Sequence, residues 1–155
     1  MGSVTNSVRS VFMAQWLYEM LKNDHKNVKK LLLVTLENED PSKFHAIQKE
    51  LEPHILGEEK YFYPAIKKKA TFMVLEGYEE HELAKKLLYE LDKLDENDER
   101  WMPKMKVLQE IIELHIGEEE GEMFPKAREI LNEEQEQKIM EQIKKEKSKY
   151  TKSYI

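Results

Sequence analysis

Apolar residues recur at helical spacing along almost the whole chain. Trp16, Met20, Leu21, Val28, Leu31 and Leu32, continued by Thr35, form one stripe and predict a helix from near Ser10 to about Leu36. Asp40 followed by Pro41 reads as a cap and a first helical position. The second helix then runs to about Lys69, with Phe44, Ile47, Leu51, His54, Glu58 and Tyr61 on one side. Pro53 and Pro64 lie inside it; each removes a backbone donor and is expected to bend or loosen the helix.

A third helix is expected from about Phe72 to Leu94, with Leu75, Tyr78, His81, Leu83, Ala84, Leu87, Leu88 and Leu91 as its apolar face. After a charged turn with Asp98 as cap, Leu108, Ile111, Ile112, His115, Glu119 and Met123 line a fourth helix that ends near Ile130. Asn132-Glu133-Glu134-Gln135 has the form of a capping box and opens a fifth, short helix to about Lys149. Ile139, Met140 and Ile143 are its only apolar contacts, so it is expected to dock beside the others, carry no chemistry and fray from Tyr150 to Ile155.

Two stretches repeat. His54-Ile55-Leu56-Gly57-Glu58 through Phe62-Tyr63-Pro64 is echoed by His115-Ile116-Gly117-Glu118-Glu119 through Met123-Phe124-Pro125. Asp24-His25, followed by Lys29-Lys30-Leu31-Leu32, is echoed by Glu80-His81 and Lys85-Lys86-Leu87-Leu88. Each half therefore reads as one αα-hairpin, and two stacked hairpins make an all-α, antiparallel up-down four-helix bundle. Residues four apart share a helix face. His25, His54, His81 and His115 then come from four helices and converge with Glu58 and Glu119. Four imidazoles and two carboxylates suit iron, manganese or zinc better than calcium or magnesium, which prefer oxygen shells. His45 falls about half a turn from His54 and belongs to the surface.

With these residues in this order, the chain resembles the hemerythrin-like family, in its HHE cation-binding branch, from about Trp16 to about Arg128. The resemblance implies two non-haem iron ions with a bridging oxide or hydroxide. It assigns His25 and His54 to one ion and His81 and His115 to the other, with Glu58 and Glu119 bridging. Gly77 stands where the oxygen-carrying members have a further His, so the second half of the site is expected to be more open or water-filled. The implied function is to bind or sense dioxygen or a related small ligand (nitric oxide, peroxide), or to handle iron. The alternative is a redox enzyme for peroxide decomposition or nitric-oxide-linked repair of iron centres; the residues do not decide whether the chain is an enzyme, and no residue is singled out as catalytic. Glu80, Glu118 and Glu122 are candidates to support the site from outside, although a residue of this kind is more often simply a solvated part of its helix.

Composition narrows the partners. The 155 residues include 40% hydrophobic and 36% charged residues, as a helical bundle with charged outer faces requires. A net charge of −6 argues against nucleic acid, and Lys67-Lys68-Lys69 suits the end of a helix. The absence of Cys excludes disulfides, thiol catalysis and Cys-ligated clusters within this chain. No apolar run approaches a membrane span or a signal peptide, and Asn6 breaks the myristoylation pattern opened by Met1-Gly2. The cytoplasm is the default. The expected organisation is a flexible segment 1–9, the bundle 10–131, and a C-terminal helix and tail 132–155. A monomer and a small homo-oligomer both remain open, and no electron donor is implied.

Overall fold

A computed structural model describes the backbone of residues 2–153 and the side chains of residues 16–150. Four helical arms form an up-down bundle. The first is α1 (Gly2–Glu37). The second is α2 (Phe44–Gly57), continued through a π-turn (Glu58–Phe62) into α3 (Tyr63–Ile66). The third is α4 (Thr71–Lys93). The fourth is α5 (Trp101–Glu118), continued through a second π-turn (Glu119–Met123) into α6 (Phe124–Ile130). A fifth helix, α7 (Glu133–Ser153), lies against α1 and α2. The expected all-α bundle is the observed fold.

Two of the three predicted caps are present, at Asp40 and Asn132; Asp98 instead accepts the backbone N–H of Arg100 at 2.9 Å in the turn before α5, whose first turn has no side-chain cap. Asp40 Oδ1 accepts the backbone N–H of Ser42 at 2.9 Å and opens a short 3-10 turn before α2. Asn132 and Gln135 bond reciprocally, side chain to backbone, at 2.9 and 2.8 Å. Helix α1 begins at Gly2 rather than near Ser10. Residues 151–155, where most of the expected fraying falls, lie outside the residues whose side chains are described, as does the segment 1–9.

Two apolar clusters fill the bundle. Leu17, Leu21, Phe62, Ile66, Val74, Met123 and Phe124 lie in one. Val28, Leu32, Ile47, Leu51, Leu88, Trp101, Leu108 and Ile112 lie in the other. Along α1 the clusters lie on either side of His25; along the fourth arm, Leu108 and Ile112 of one precede His115, and Met123 and Phe124 of the other follow Glu119. The repeated order of the echo thus becomes a polar layer clamped between two apolar ones.

Some expected core positions turn outward. Trp16 is 49% exposed, Leu83 is 52% exposed and Leu75 is also exposed. Trp16 stands nine residues before His25, about half a rotation away; Leu75 and Leu83 stand six before and two after His81, also on the far side of their helix. Tyr61 shows a different effect. It was expected on the His54–Glu58 face, but Phe62 and Tyr63 are the buried residues there and Tyr61 is only half-buried. The π-turn inserts an extra residue per turn and rotates everything after Glu58.

Helix α7 reaches its seat because position 57 has no side chain. A Cβ on Gly57 would meet Ile143 Cγ2 at 2.9 Å. Ile143 is β-branched and fully buried, so it has little room to yield. Gly57→Ala is expected to destabilise the protein by about 1–3 kcal/mol through overpacking, read by denaturant unfolding. An unchanged midpoint would show that α7 can slide. Among the described residues no helix is long and apolar enough to cross a membrane.

Candidate metal centre

The layer between the two clusters contains all six residues singled out from the sequence. His25, His54, Glu58 and Glu119 form one group of ligand-type atoms, and Glu58, His81, His115 and Glu119 form another. All six are buried; Glu58 is 0% and Glu119 1% exposed. The two groups share both carboxylates. His25 Nε2 lies 3.2 Å from His54 Nε2, and His81 Nε2 lies 3.1 Å from His115 Nε2. Two nitrogens bound about 2.1 Å from one ion, at about 90–109° to each other, would lie roughly 3.0–3.4 Å apart. Each His pair has that spacing.

The carboxylates stand between the pairs. Glu58 Oε1 is 3.1 Å from His54 Nε2 and 3.3 Å from His81 Nε2. Glu119 places Oε1 at 3.1 Å from His25 Nε2 and Oε2 at 3.0 Å from His115 Nε2. Yet both oxygens of Glu58 and Oε1 of Glu119 are buried without a hydrogen bond. Leaving such atoms without a partner inside a protein is costly, and a cation beside them removes that cost. The residues present therefore fit a pair of metal ions.

The outer nitrogens explain why the inner ones face one another. Each imidazole donates Nδ1–H to a carboxylate outside the layer. His25 bonds Glu120 at 2.6 Å, His54 bonds Asp24 at 2.9 Å, His81 bonds Glu59 at 2.9 Å and His115 bonds Glu80 at 2.7 Å. A proton held at Nδ1 leaves the Nε2 lone pair aimed inward and makes it a better ligand. Every one of these carboxylates adjoins a layer residue in sequence and serves the His of a different arm. Of the three candidates named from sequence, only Glu80 does this; Glu118 lies beside Glu80, and Glu122 lines a cavity. Asp24, Glu59 and Glu120 escaped that reading. Their signal was the repeated acidic-His pair and the repeated Glu-Glu pair, Glu58-Glu59 and Glu119-Glu120.

Charge in the layer is finely set. Burial pulls the His54 imidazole down, but the adjacent Glu58 charge and the hydrogen bond to Asp24 outweigh it and push His54 up to about 10. His81 and His115 are raised against the same burial, by Glu58 and Glu59 in one case and by Glu119, Glu58 and Glu80 in the other. Glu58 is held well below the usual carboxylate range: burial opposes this, and the charge of the adjacent His54 prevails. Outside the layer, Glu118 is pushed up to about 7, chiefly by its hydrogen bond with Glu80.

The second half of the layer is not open, contrary to expectation. Gly77 does remove a side chain there, but Tyr63 takes the space. A Cβ on Gly77 would meet the Tyr63 hydroxyl at 3.0 Å and its ring at 3.1 Å. The Tyr63 ring stacks on His81 at 5.1 Å, and its hydroxyl donates to Glu119 Oε2 at 2.7 Å. The Tyr63 hydroxyl oxygen lies 3.2 Å from His81 Nε2 and 3.4 Å from His115 Nε2. In the echo, the counterpart of Tyr63 is Phe124, which stacks on His25 at 6.0 Å and has no hydroxyl.

Both π-turns begin at a shared Glu and end before a Pro. Tyr63 is nine residues after His54, which an unbroken α-helix would place on the opposite face. The π-turn brings it back: the Tyr63 N–H bonds the Glu58 carbonyl, five residues earlier. Pro64 has no N–H to offer Glu59, and the Tyr78 hydroxyl supplies that carbonyl with a donor at 3.2 Å. Of the two prolines expected to bend or loosen the second helix, Pro64 follows the π-turn that brings the Tyr63 ring onto a layer His, whereas Pro53 lies within the uninterrupted α2. His45 is exposed and belongs to neither group.

A buried helical bundle with six imidazole and carboxylate groups across its middle defines a cation-binding domain. Residues 17–127 match the family described as hemerythrin HHE cation binding domain, and the chain belongs to that family. It is 26% identical over 141 residues to a DNA nickase of Nostoc sp. (strain PCC 7120), covering 86% of this chain and 39% of that protein. It is 32% identical over 90 residues to an uncharacterized hemerythrin-like protein of Schizosaccharomyces pombe, covering 56% of this chain and 44% of that one. The chain thus spans less than half the length of the curated relatives it matches. No solved structure matches it significantly.

Proposed function

We propose that this chain holds two iron ions between Glu58 and Glu119 and binds a small neutral ligand, dioxygen or nitric oxide, beside them. His25 and His54 hold one ion, and His81 and His115 the other. The observation that carries this reading is an apolar cavity of about 10 Å³ above the imidazoles, lined by Val28, Leu51, Ile55, Ile112 and Ile116 with the four layer histidines. A space of that size admits about one water-sized molecule, and its apolar walls favour a neutral diatomic over a hydrated or ionic ligand. When bound, a pair of irons supplies reversible electron donation to such a ligand. The protein's part is to hold the imidazoles from behind, exclude bulk water and keep Tyr63 O–H on Glu119.

Metal analysis of freshly purified protein, then visible spectra after anaerobic reduction and re-exposure to air, tests the reading. Two irons per chain and a visible band that persists in air and disappears under vacuum are expected. One zinc or no metal would sink the di-iron assignment. Immediate decay to the oxidised form would instead favour the redox-enzyme alternative. Peroxide suits an apolar cavity less well than a diatomic.

The Nostoc relative is a DNA nickase, of which this chain spans 39%. A net charge of −6 argues for a small-molecule partner rather than nucleic acid here. Tyr63→Phe is expected to keep two metal ions per chain, because Phe124 fills the matching place in the other half. It should destabilise the metal-free protein by about 1–3 kcal/mol by taking the donor from Glu119. A variant that no longer retains both ions would show the hydroxyl to be essential for holding them.

A further inference from the structure

Helix α7 touches the bundle where one metal position is built. Lys147 pairs with Asp24 at Oδ2, the same oxygen that receives Nδ1–H of His54. Ile143 fills the space over Gly57, the residue before Glu58. Glu146 accepts the Lys60 ammonium and the Tyr61 hydroxyl, each at 2.7 Å, and both donors lie in the π-turn that Glu58 opens. Tyr150 donates to Glu52, two residues before His54. Successive turns of one face of α7 therefore brace the segment that carries His54 and Glu58.

The echo provides an internal comparison. Asp24 corresponds to Glu80, which has Glu118 beside it, an acid where Asp24 has a base. Glu59, behind His81, does meet a lysine. That lysine, Lys85, comes from the helix that carries His81 and uses Oε1, whereas His81 uses Oε2. The fifth helix packs against α1, α2 and the first π-turn, so the α4–α5 side is the one left without it.

We propose that α7 is a clasp on one of the two metal positions: by fixing Asp24 and the first π-turn it tightens the His25–His54 position, while the His81–His115 position binds independently of it. The proposal rests on the metal-centre reading. Lys147 is then a positioning residue that acts through Asp24. With α7 docked, its ammonium fixes Oδ2 where His54 donates, and Ile143 covers the backbone beside Glu58. With α7 released, Asp24 and Gly57 face water, which competes for His54 Nδ1–H and leaves the imidazole free to turn. An outer partner of this kind contributes about 10–100-fold to metal affinity. Coupling is reciprocal, so the ion must tighten α7 by the same factor.

The test measures cobalt(II) affinity of the metal-free full-length chain in competition with a chelator. Lys147→Gln is compared with Lys144→Gln, the same charge change at an exposed position of the same helix. Lys147→Gln should weaken one of the two ions about tenfold and leave the other unchanged, and Lys147→Arg should restore most of the loss. His25→Ala and His81→Ala each keep one group of four intact and so identify the ion. Lys147→Gln should weaken binding in the His81→Ala chain and leave it unchanged in the His25→Ala chain. A merely structural role for Lys147 would lower stability without separating the two ions. Amide exchange gives the reciprocal readout: cobalt should slow exchange between residues 139 and 150 of the wild-type chain about tenfold. Equal affinities in Lys147→Gln and Lys144→Gln, or a loss shared by both ions, would overturn the clasp while leaving the metal centre standing. Exchange in α7 that ignores cobalt would overturn it as well. Wild-type protein that takes up no cobalt would overturn the metal centre and the clasp together.

Discussion

Glu119→Ala is expected to leave less than one metal ion per chain, whereas His25→Ala should leave one. The difference follows from sharing. His25 belongs to one group of four, and its loss leaves Glu58, His81, His115 and Glu119 intact. Glu119 belongs to both groups and places one oxygen near His25 and the other near His115, so its loss strips a ligand from each position. Glu120→Gln lies between these extremes, since it weakens only the hold on His25 Nδ1 and should lower affinity by about 10–100-fold. Metal content after dialysis measures the series. The same series should appear in thermal unfolding, because a ligand at a thousand times its Kd adds about 4 kcal/mol to stability. Two ions retained by Glu119→Ala would mean that the shared carboxylate does not bridge.

The second large effect is on pH, and it has opposite signs with and without metal. In the metal-free protein His54 is raised from 6.5 to about 10. A group raised on folding stabilises the fold fully below its unfolded value and loses that contribution as pH climbs through the folded one. His81 and His115, raised as well, act in the same direction. Glu58, held far below its ordinary 4.5, contributes above that value and loses its contribution as pH falls through its lowered one. Metal-free protein should therefore be most stable between about pH 4.5 and 6.5 and weaken steadily toward pH 10. Metal ions replace these imidazole protons, so affinity should rise over the same range, by about tenfold per pH unit for each proton displaced. Thermal unfolding from pH 6 to 10, with and without metal, should show the two curves diverging. Parallel curves would mean that the imidazoles carry no protons in the empty layer. On this view proton competition begins well above the pH of about 6 at which unperturbed histidines would release metal.

Much of this was legible in the linear chain, for a physical reason. Helical period and caps are local, so the four arms, the Asp40 turn and the Asn132–Gln135 box could be read from residues a few positions apart. The echo is local too: His at one turn from Glu, given twice, with an acidic-His pair before each, already places six ligand-type groups on four inward faces. Trp16, Leu75 and Leu83 were misplaced where an apolar residue simply fell off the stripe.

Only the assembled structure decided the rest. Which acid serves which imidazole could not be read, because Asp24, Glu59, Glu80 and Glu120 each cross to a neighbouring arm. Gly77 alone suggested an open second half; Tyr63 closes it after a π-turn whose rotation no fixed helical period contains. The seat of α7 was likewise invisible, since Lys147 meets Asp24 across more than a hundred residues of chain. The sequence by itself determined the arms and the inward residues, because spacing along a helix sets direction. Tertiary packing decided what each inward residue touches, which hydroxyl joins the layer and which side remains uncovered, because those depend on distances between helices that no single helix encodes.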